Sequence, residues 1–166
     1  MTQLVRRRQF LAATAASTLF MSLGAQRQAW AATTHTVEML NKHPENDRLR
    51  QVFFPRIITI EAGDTVSFVS VDKGHNSAII DGMIPDGEEG WSGRISKDVS
   101  AEITKPGFYG YQCTPHASVG MVGLVIVKGD GMMDNLVAAQ EVRQRGKAKK
   151  VWEEIWAEVE GMDLTA

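Results

Sequence analysis

Cys113, His116 and Met121 share one short run, Tyr111-Gln112-Cys113-Thr114-Pro115-His116-Ala117-Ser118-Val119-Gly120-Met121, and His75 stands upstream in Asp72-Lys73-Gly74-His75-Asn76. A thiolate, two imidazoles and a thioether make a donor set that suits both oxidation states of copper. Soft sulfur favours Cu(I), imidazole favours Cu(II), and three strong donors in a plane with a weak axial sulfur are a compromise between them. A geometry acceptable to both states moves little when one electron arrives or leaves. The expected ligands of a single copper ion are therefore His75, Cys113, His116 and Met121. No residue is expected to be catalytic.

Other readings of these residues account for fewer of them. Cys-x-x-His is half of a zinc site, but structural zinc wants four strong nitrogen or sulfur ligands and a second such pair is missing. Cys–His nucleophilic catalysis needs the base beside the thiol; three residues apart on a loop stiffened by Pro115 is poor placement, and the Met has no part in it. His35 and His43 compete with His75 for the upstream ligand. His35 lies near the start of the expected mature chain, where chains fray. His43 precedes Pro44 in a polar loop, so both are read as solvated surface histidines. His75 is better placed, because Gly74 lets the chain turn and Asn76 can hold the loop by hydrogen bonds. Gly120 is expected to permit the return from His116 to Met121, and backbone N–H donors to the Cys113 sulfur are expected to tune the site.

Such ligands need rigid supports, and the sequence offers strands. Segments 36–40, 52–54, 57–60, 65–71, 99–104, 108–112 and 123–127 are β-branched, alternating or continuously apolar, with Gly and Pro between them. The spacing predicts a β-sandwich or barrel. Cys113 ends one strand and Met121 leads into the next, so the ligand loop is pinned at both ends. After Gly131 the period becomes helical. Leu136, Val137 and Val142 suit one helix, and residues 147–160 suit a second. In that second helix Val151, Trp152, Ile155, Trp156 and Val159 form one apolar stripe, expected to pack on the barrel rather than on a membrane, since the opposite side is acidic.

The N-terminus reads as a leader, not as fold. Arg6-Arg7-Arg8 precedes an apolar, small-residue stretch, and Ala29-Trp30-Ala31 offers a cleavage site. The stretch is too short and too rich in Ala, Ser and Thr for a membrane span. Arg7-Arg8-x-Phe10-Leu11 resembles a twin-arginine export signal. The expected division is a cleaved leader over 1–31, a β domain over 32–130 and a helical extension over 131–166. Residues 32–166 carry 14 basic and 20 acidic residues, which argues against nucleic acid as partner. About 135 residues suffice for one domain with a real core. A single cysteine in an exported chain can form no internal disulfide, which favours a ligand role.

Val71-Asp72-Lys73-Gly74-His75-Asn76, Met83-Ile84-Pro85, Cys113-Thr114-Pro115-His116 with Gly120-Met121, Met39-Leu40-Asn41-Lys42 and Gly63-Asp64-Thr65-Val66 together resemble the pseudoazurins. The likeness spans the mature chain and its two-helix tail. It implies an all-β, eight-stranded Greek-key cupredoxin sandwich or barrel with a C-terminal two-helix extension. It also implies a monomeric periplasmic protein that passes single electrons to a redox partner such as copper nitrite reductase or a cytochrome c. Carried over by position, His75, Cys113, His116 and Met121 match the family's copper ligands. Two positions depart from the family: Gln112 stands where a lysine is common, and Ala117 where an aromatic is common. Of the family's ring of docking lysines, Lys42 and Lys73 remain.

On this reading the electron passes through His116, whose ring edge should reach the surface inside an apolar collar of Met83, Pro85, Pro115 and Ala117. Lys42 and Lys73 would steer an acidic partner. A copper oxidase or nitrite reductase is disfavoured, because no His flanks Cys113 and four histidines are too few for a second centre. A periplasmic copper carrier or chaperone is the alternative; the short, braced loop argues against it.

Overall fold

Strict alternation in Asp64-Thr65-Val66-Ser67-Phe68-Val69 turns one side of a strand inward: Asp64, Val66 and Phe68 are buried and their neighbours are half-exposed. The computed structural model describes residues 31–164. The leader expected over 1–31 thus lies, up to Trp30, outside the described residues.

Eight strands follow in chain order: β1 (Thr34–Lys42), β2 (Arg50–Phe54), β3 (Ile57–Glu61), β4 (Asp64–Val69), β5 (Ala78–Ile79), β6 (Val99–Ile103), β7 (Gly107–Gln112) and β8 (Val122–Lys128). They form two four-stranded sheets, ordered β2-β1-β4-β6 and β3-β8-β7-β5. β1 runs parallel to β4 and β3 parallel to β8; the remaining pairs are antiparallel. The all-β, eight-stranded expectation holds. The strand expected over 65–71 stops at Val69, and Val71 is 53% exposed beside the His75 turn. β5 was not foreseen: two residues carry no periodicity, and the strand is defined by its pairing of Ala78 with Gln112 and Ile79 with Tyr111.

The sheets enclose one core that includes Val37, Met39, Phe53, Phe68, Tyr111 and Val125. A second core lies on the outer face of β7 and β8, where Phe108, Val122, Leu124 and Ile126 meet Met83, Trp152, Ile155 and Val159. This explains the unbroken apolar run of β8. Val125 and Val127 face the first core and Val122, Leu124 and Ile126 the second, so both faces are covered.

The cover comes from α1 (Leu136–Glu141) and α2 (Lys147–Glu160). α2 buries Trp152, Ile155 and Val159, each worth about 1.5–3 kcal/mol of apolar burial. Trp156 stacks on Trp152, with centroids 5.3 Å apart, and meets Phe108 edge-on at 6.2 Å. Arg56, on the turn between β2 and β3, pairs with Glu154 and Glu158 on the helix's outer side. Exposed pairs of this kind contribute only about 0.2–1 kcal/mol, so the apolar stripe holds the helix. The packing reading of α2 holds. No helix among the described residues is long and apolar enough to cross a membrane.

Candidate metal centre

Cys113 follows β7 directly, and Met121 immediately precedes β8. A closed set of backbone hydrogen bonds shapes the chain between them. Cys113 N–H donates to the Met121 carbonyl (3.0 Å), Met121 N–H to His116 (3.2 Å) and His116 N–H back to Cys113 (3.0 Å). Ala117–Val119 forms one 3-10 turn, closed by Gly120 at φ +102°. That left-handed backbone suits glycine, so Gly120 makes the return that its position predicts.

His75 arrives on a second loop, turned by Gly74 at φ +94°. Ser96 clamps this loop: its Oγ accepts from Gly74 N–H (2.9 Å), and its own N–H donates to the His75 carbonyl (2.7 Å). Asn76 ties the two ligand loops together. Its Oδ1 accepts from Thr114 N–H (2.8 Å), and its Nδ2 donates to Thr114 Oγ1 (3.1 Å) and to the Gly93 carbonyl (3.0 Å).

The result brings three donor atoms to one point. His75 Nδ1 and His116 Nδ1 are 3.1 Å apart, and Cys113 Sγ lies 3.7 Å from the first and 3.4 Å from the second. All three lie within 4.8 Å of one another. His75 and Cys113 are fully buried and His116 is half-buried. Met121 is fully buried in the inter-sheet core that holds Cys113.

Asn41 is the residue that sequence reasoning missed. Its Oδ1 lies 3.0 Å from His75 Nε2. A carbonyl oxygen only accepts, so Nε2 carries the proton and Nδ1 turns a lone pair toward Cys113 and His116. Asn41 is held in turn by its own N–H donating to Asp72 Oδ2 (2.6 Å), and Asp72 N–H donates to the Met39 carbonyl (3.1 Å). The only signal available was Asn41's place in a family-like segment.

Burial pushes the His75 imidazole toward its neutral form; the neighbouring His116 adds to this and Asp72 opposes it. Burial also pushes the Cys113 thiol up, while backbone N–H groups of Asn76 and His116 pull it back. A metal ion that binds here displaces the thiol proton. A neutral imidazole lone pair, a second imidazole and a buried thiol sulfur fit copper.

Two expectations fail. Met83 and Pro85 form no collar around His116. Met83 is fully buried in the second core, against Gly110, where an added Cβ would sit 2.7 Å from its Cε. Pro85 packs on Gly107, at the far end of β7, about 20 Å of strand from Cys113. The surface near His116 is instead made by exposed Thr114, Pro115, Ser118 and Val119 with half-buried Ala117. Nor are the two other histidines simply solvated. His35 Nε2 lies 2.8 Å from Asp64 Oδ2, and half-buried His43 packs edge-on to Phe54 at 5.0 Å. Neither joins the three-donor cluster.

Residues 37–128 match the family model of copper binding proteins, plastocyanin/azurin family. A pseudoazurin of Paracoccus pantotrophus is 41% identical over 119 residues, covering 72% of this chain and 79% of its own. A pseudoazurin of Methylorubrum extorquens is 36% identical over 151 residues, covering 91% and 98%. Among solved structures, a pseudoazurin from Sinorhizobium superposes with a TM-score of 0.71 at 41% identity, over 77% of this chain and 97% of its own.

Proposed function

Since the chain belongs to the plastocyanin/azurin family of copper-binding proteins and, within it, to the pseudoazurins, we propose that His75, Cys113, His116 and Met121 hold its copper ion for electron shuttling in a bacterial periplasm. Members of this family are electron-transfer proteins and not enzymes. When bound, copper supplies a one-electron couple.

The protein's own residues prepare the place for it. Asn41 fixes the His75 tautomer. The N–H groups of Asn76 and His116 favour the thiolate form of Cys113. The loop hydrogen bonds and the Asn76–Thr114 pair hold these residues in place, which keeps rearrangement small. His116, the half-buried member of the cluster, offers the shortest way out for an electron. Its uncharged, exposed loop neighbours suit a brief encounter with another redox protein.

The partner is an acidic redox protein, such as copper nitrite reductase or a cytochrome c. Lys73 is exposed, whereas Lys42 is paired with Asp47 and less free to steer. Arg143 and Arg145, on the turn between α1 and α2, compensate: both are exposed, without an ion pair among the described residues, and line one surface depression with Thr114, Ala117 and Ser118. Residues 1–31 act as the export leader and are absent from the mature protein.

The observation that carries this reading is the convergence of the His75, Cys113 and His116 donors at one point, with His75 and Cys113 fully buried. Titration with Cu(II) tests it. Binding should saturate at one equivalent with an intense thiolate-to-copper absorption and narrow EPR hyperfine splitting, both lost in Cys113→Ser. A Cys113→Ser protein that keeps the visible band would overturn the assignment.

A further inference from the structure

The 3-10 turn between His116 and Met121 buries none of its three residues fully. The start of α2 packs against it. Val151 Cγ2 lies 3.0 Å from where a Cβ on Gly120 would stand, and Lys147 Cβ lies 3.7 Å from the same point. Gly146, the residue before α2, comes so near the Ser118 carbonyl that an added Cβ would collide with it. α2 itself is fastened to β7 and β8 through Trp152, Ile155 and Val159. A rigid path therefore runs from the second core, through the first turns of α2, to the outer side of the loop that links His116 to Met121.

We propose that Val151 and Gly146 are positioning residues for the copper-binding loop, and that the C-terminal extension braces the metal centre rather than merely covering a sheet. The loop's inner side is set by its own hydrogen bonds and by Asn76. Its outer side has Val151 and Gly146 as the stops that keep Gly120 and Ser118 from swinging outward and carrying His116 and Met121 with them. The inference rests on the copper reading for its functional meaning, but the mechanical coupling can be read without metal.

The test compares Val151→Ala with Val159→Ala. Val159 is buried in the same second core but lies about 12 Å further along the helix, so its truncation costs stability without touching the loop. Copper loss to a chelator should accelerate about tenfold in Val151→Ala, with a shifted visible spectrum. Val159→Ala should stay within about twofold of the parent although its melting temperature falls as much or more. Val151→Ile should restore the parent rate. In the metal-free proteins, amide hydrogen exchange at Gly120 and Met121 should quicken in Val151→Ala alone. Copper loss that simply follows melting temperature in both variants, or unchanged exchange at Gly120 and Met121 in Val151→Ala, would overturn the proposal. A parent protein that shows no copper band would instead sink the copper reading, while the exchange comparison would still decide the bracing.

Discussion

Cys113, His116 and Met121 were legible as candidate ligands because they are neighbours in sequence and their chemistry is complementary. Asn41 was not, because it stands 34 residues from His75 and meets it only through the pairing of β1 with β4 and the turn that follows. Asn41→Ala should leave the fold intact and free the His75 ring to rotate, lowering copper affinity about 10- to 100-fold; competition with a chelator measures this. Asn76 is different, since its side chain makes three hydrogen bonds while nearly buried. Asn76→Ala should cost about 2–4 kcal/mol in denaturant unfolding and should loosen the Thr114 loop.

Periodicity located the long elements because burial on one or both faces is written into it. β4 alternates, β8 is apolar throughout, and α2 carries its stripe at three- and four-residue spacing. β5 was invisible, and the collar around His116 was misplaced, for a common reason. Both depend on where the segment between His75 and Trp91 lies across the sheet, and no period in that segment encodes it. α2 offers a test of packing against polarity. Trp152 is 2% exposed, and its indole N–H is buried without an acceptor among the described residues. An unpaired donor costs about 1–3 kcal/mol, so Trp152→Phe should change stability by less than about 1.5 kcal/mol. Trp152→Ala should lose about 3–5 kcal/mol. Urea unfolding distinguishes the two.

Charge and pH act on the molecule as a whole. The carboxylate of Asp64 accepts N–H groups from Thr33 (2.8 Å) and Glu61 (3.2 Å) and faces His35, all at the end of the first sheet opposite β4's approach to the metal loops. The Thr33 hydrogen bond is the main cause holding Asp64 below its ordinary value of 3.8, against the opposing effect of burial. A lowered folded-state value means stability that is present above pH 3.8 and drains away as pH falls through the folded-state value. Asp64→Asn should therefore be less stable than the parent near neutrality, and the gap should narrow on acidification below pH 3.8 in pH-dependent thermal melts. Steering belongs to the same scale. The net charge of residues 32–166 is negative, yet Lys73, Arg143 and Arg145 are exposed near the metal loops. Electron transfer to an acidic partner should slow as ionic strength rises, and Arg143→Glu with Arg145→Glu should slow it further and flatten the salt dependence.

Read alone, the chain decided the donor chemistry, the β domain and the apolar stripe of its last helix. Each of these rests on local spacing: ligands on one loop, alternation along a strand, repetition around a helix. Only the tertiary structure decided that Asn41 orients His75, that Asn76 and Ser96 lock the two loops, that Met83 is core rather than rim, and that α2 rests on the metal loop. Those relations join residues tens of positions apart, and their geometry is set by how the sheets stack and where the helices cover them, which no local pattern records.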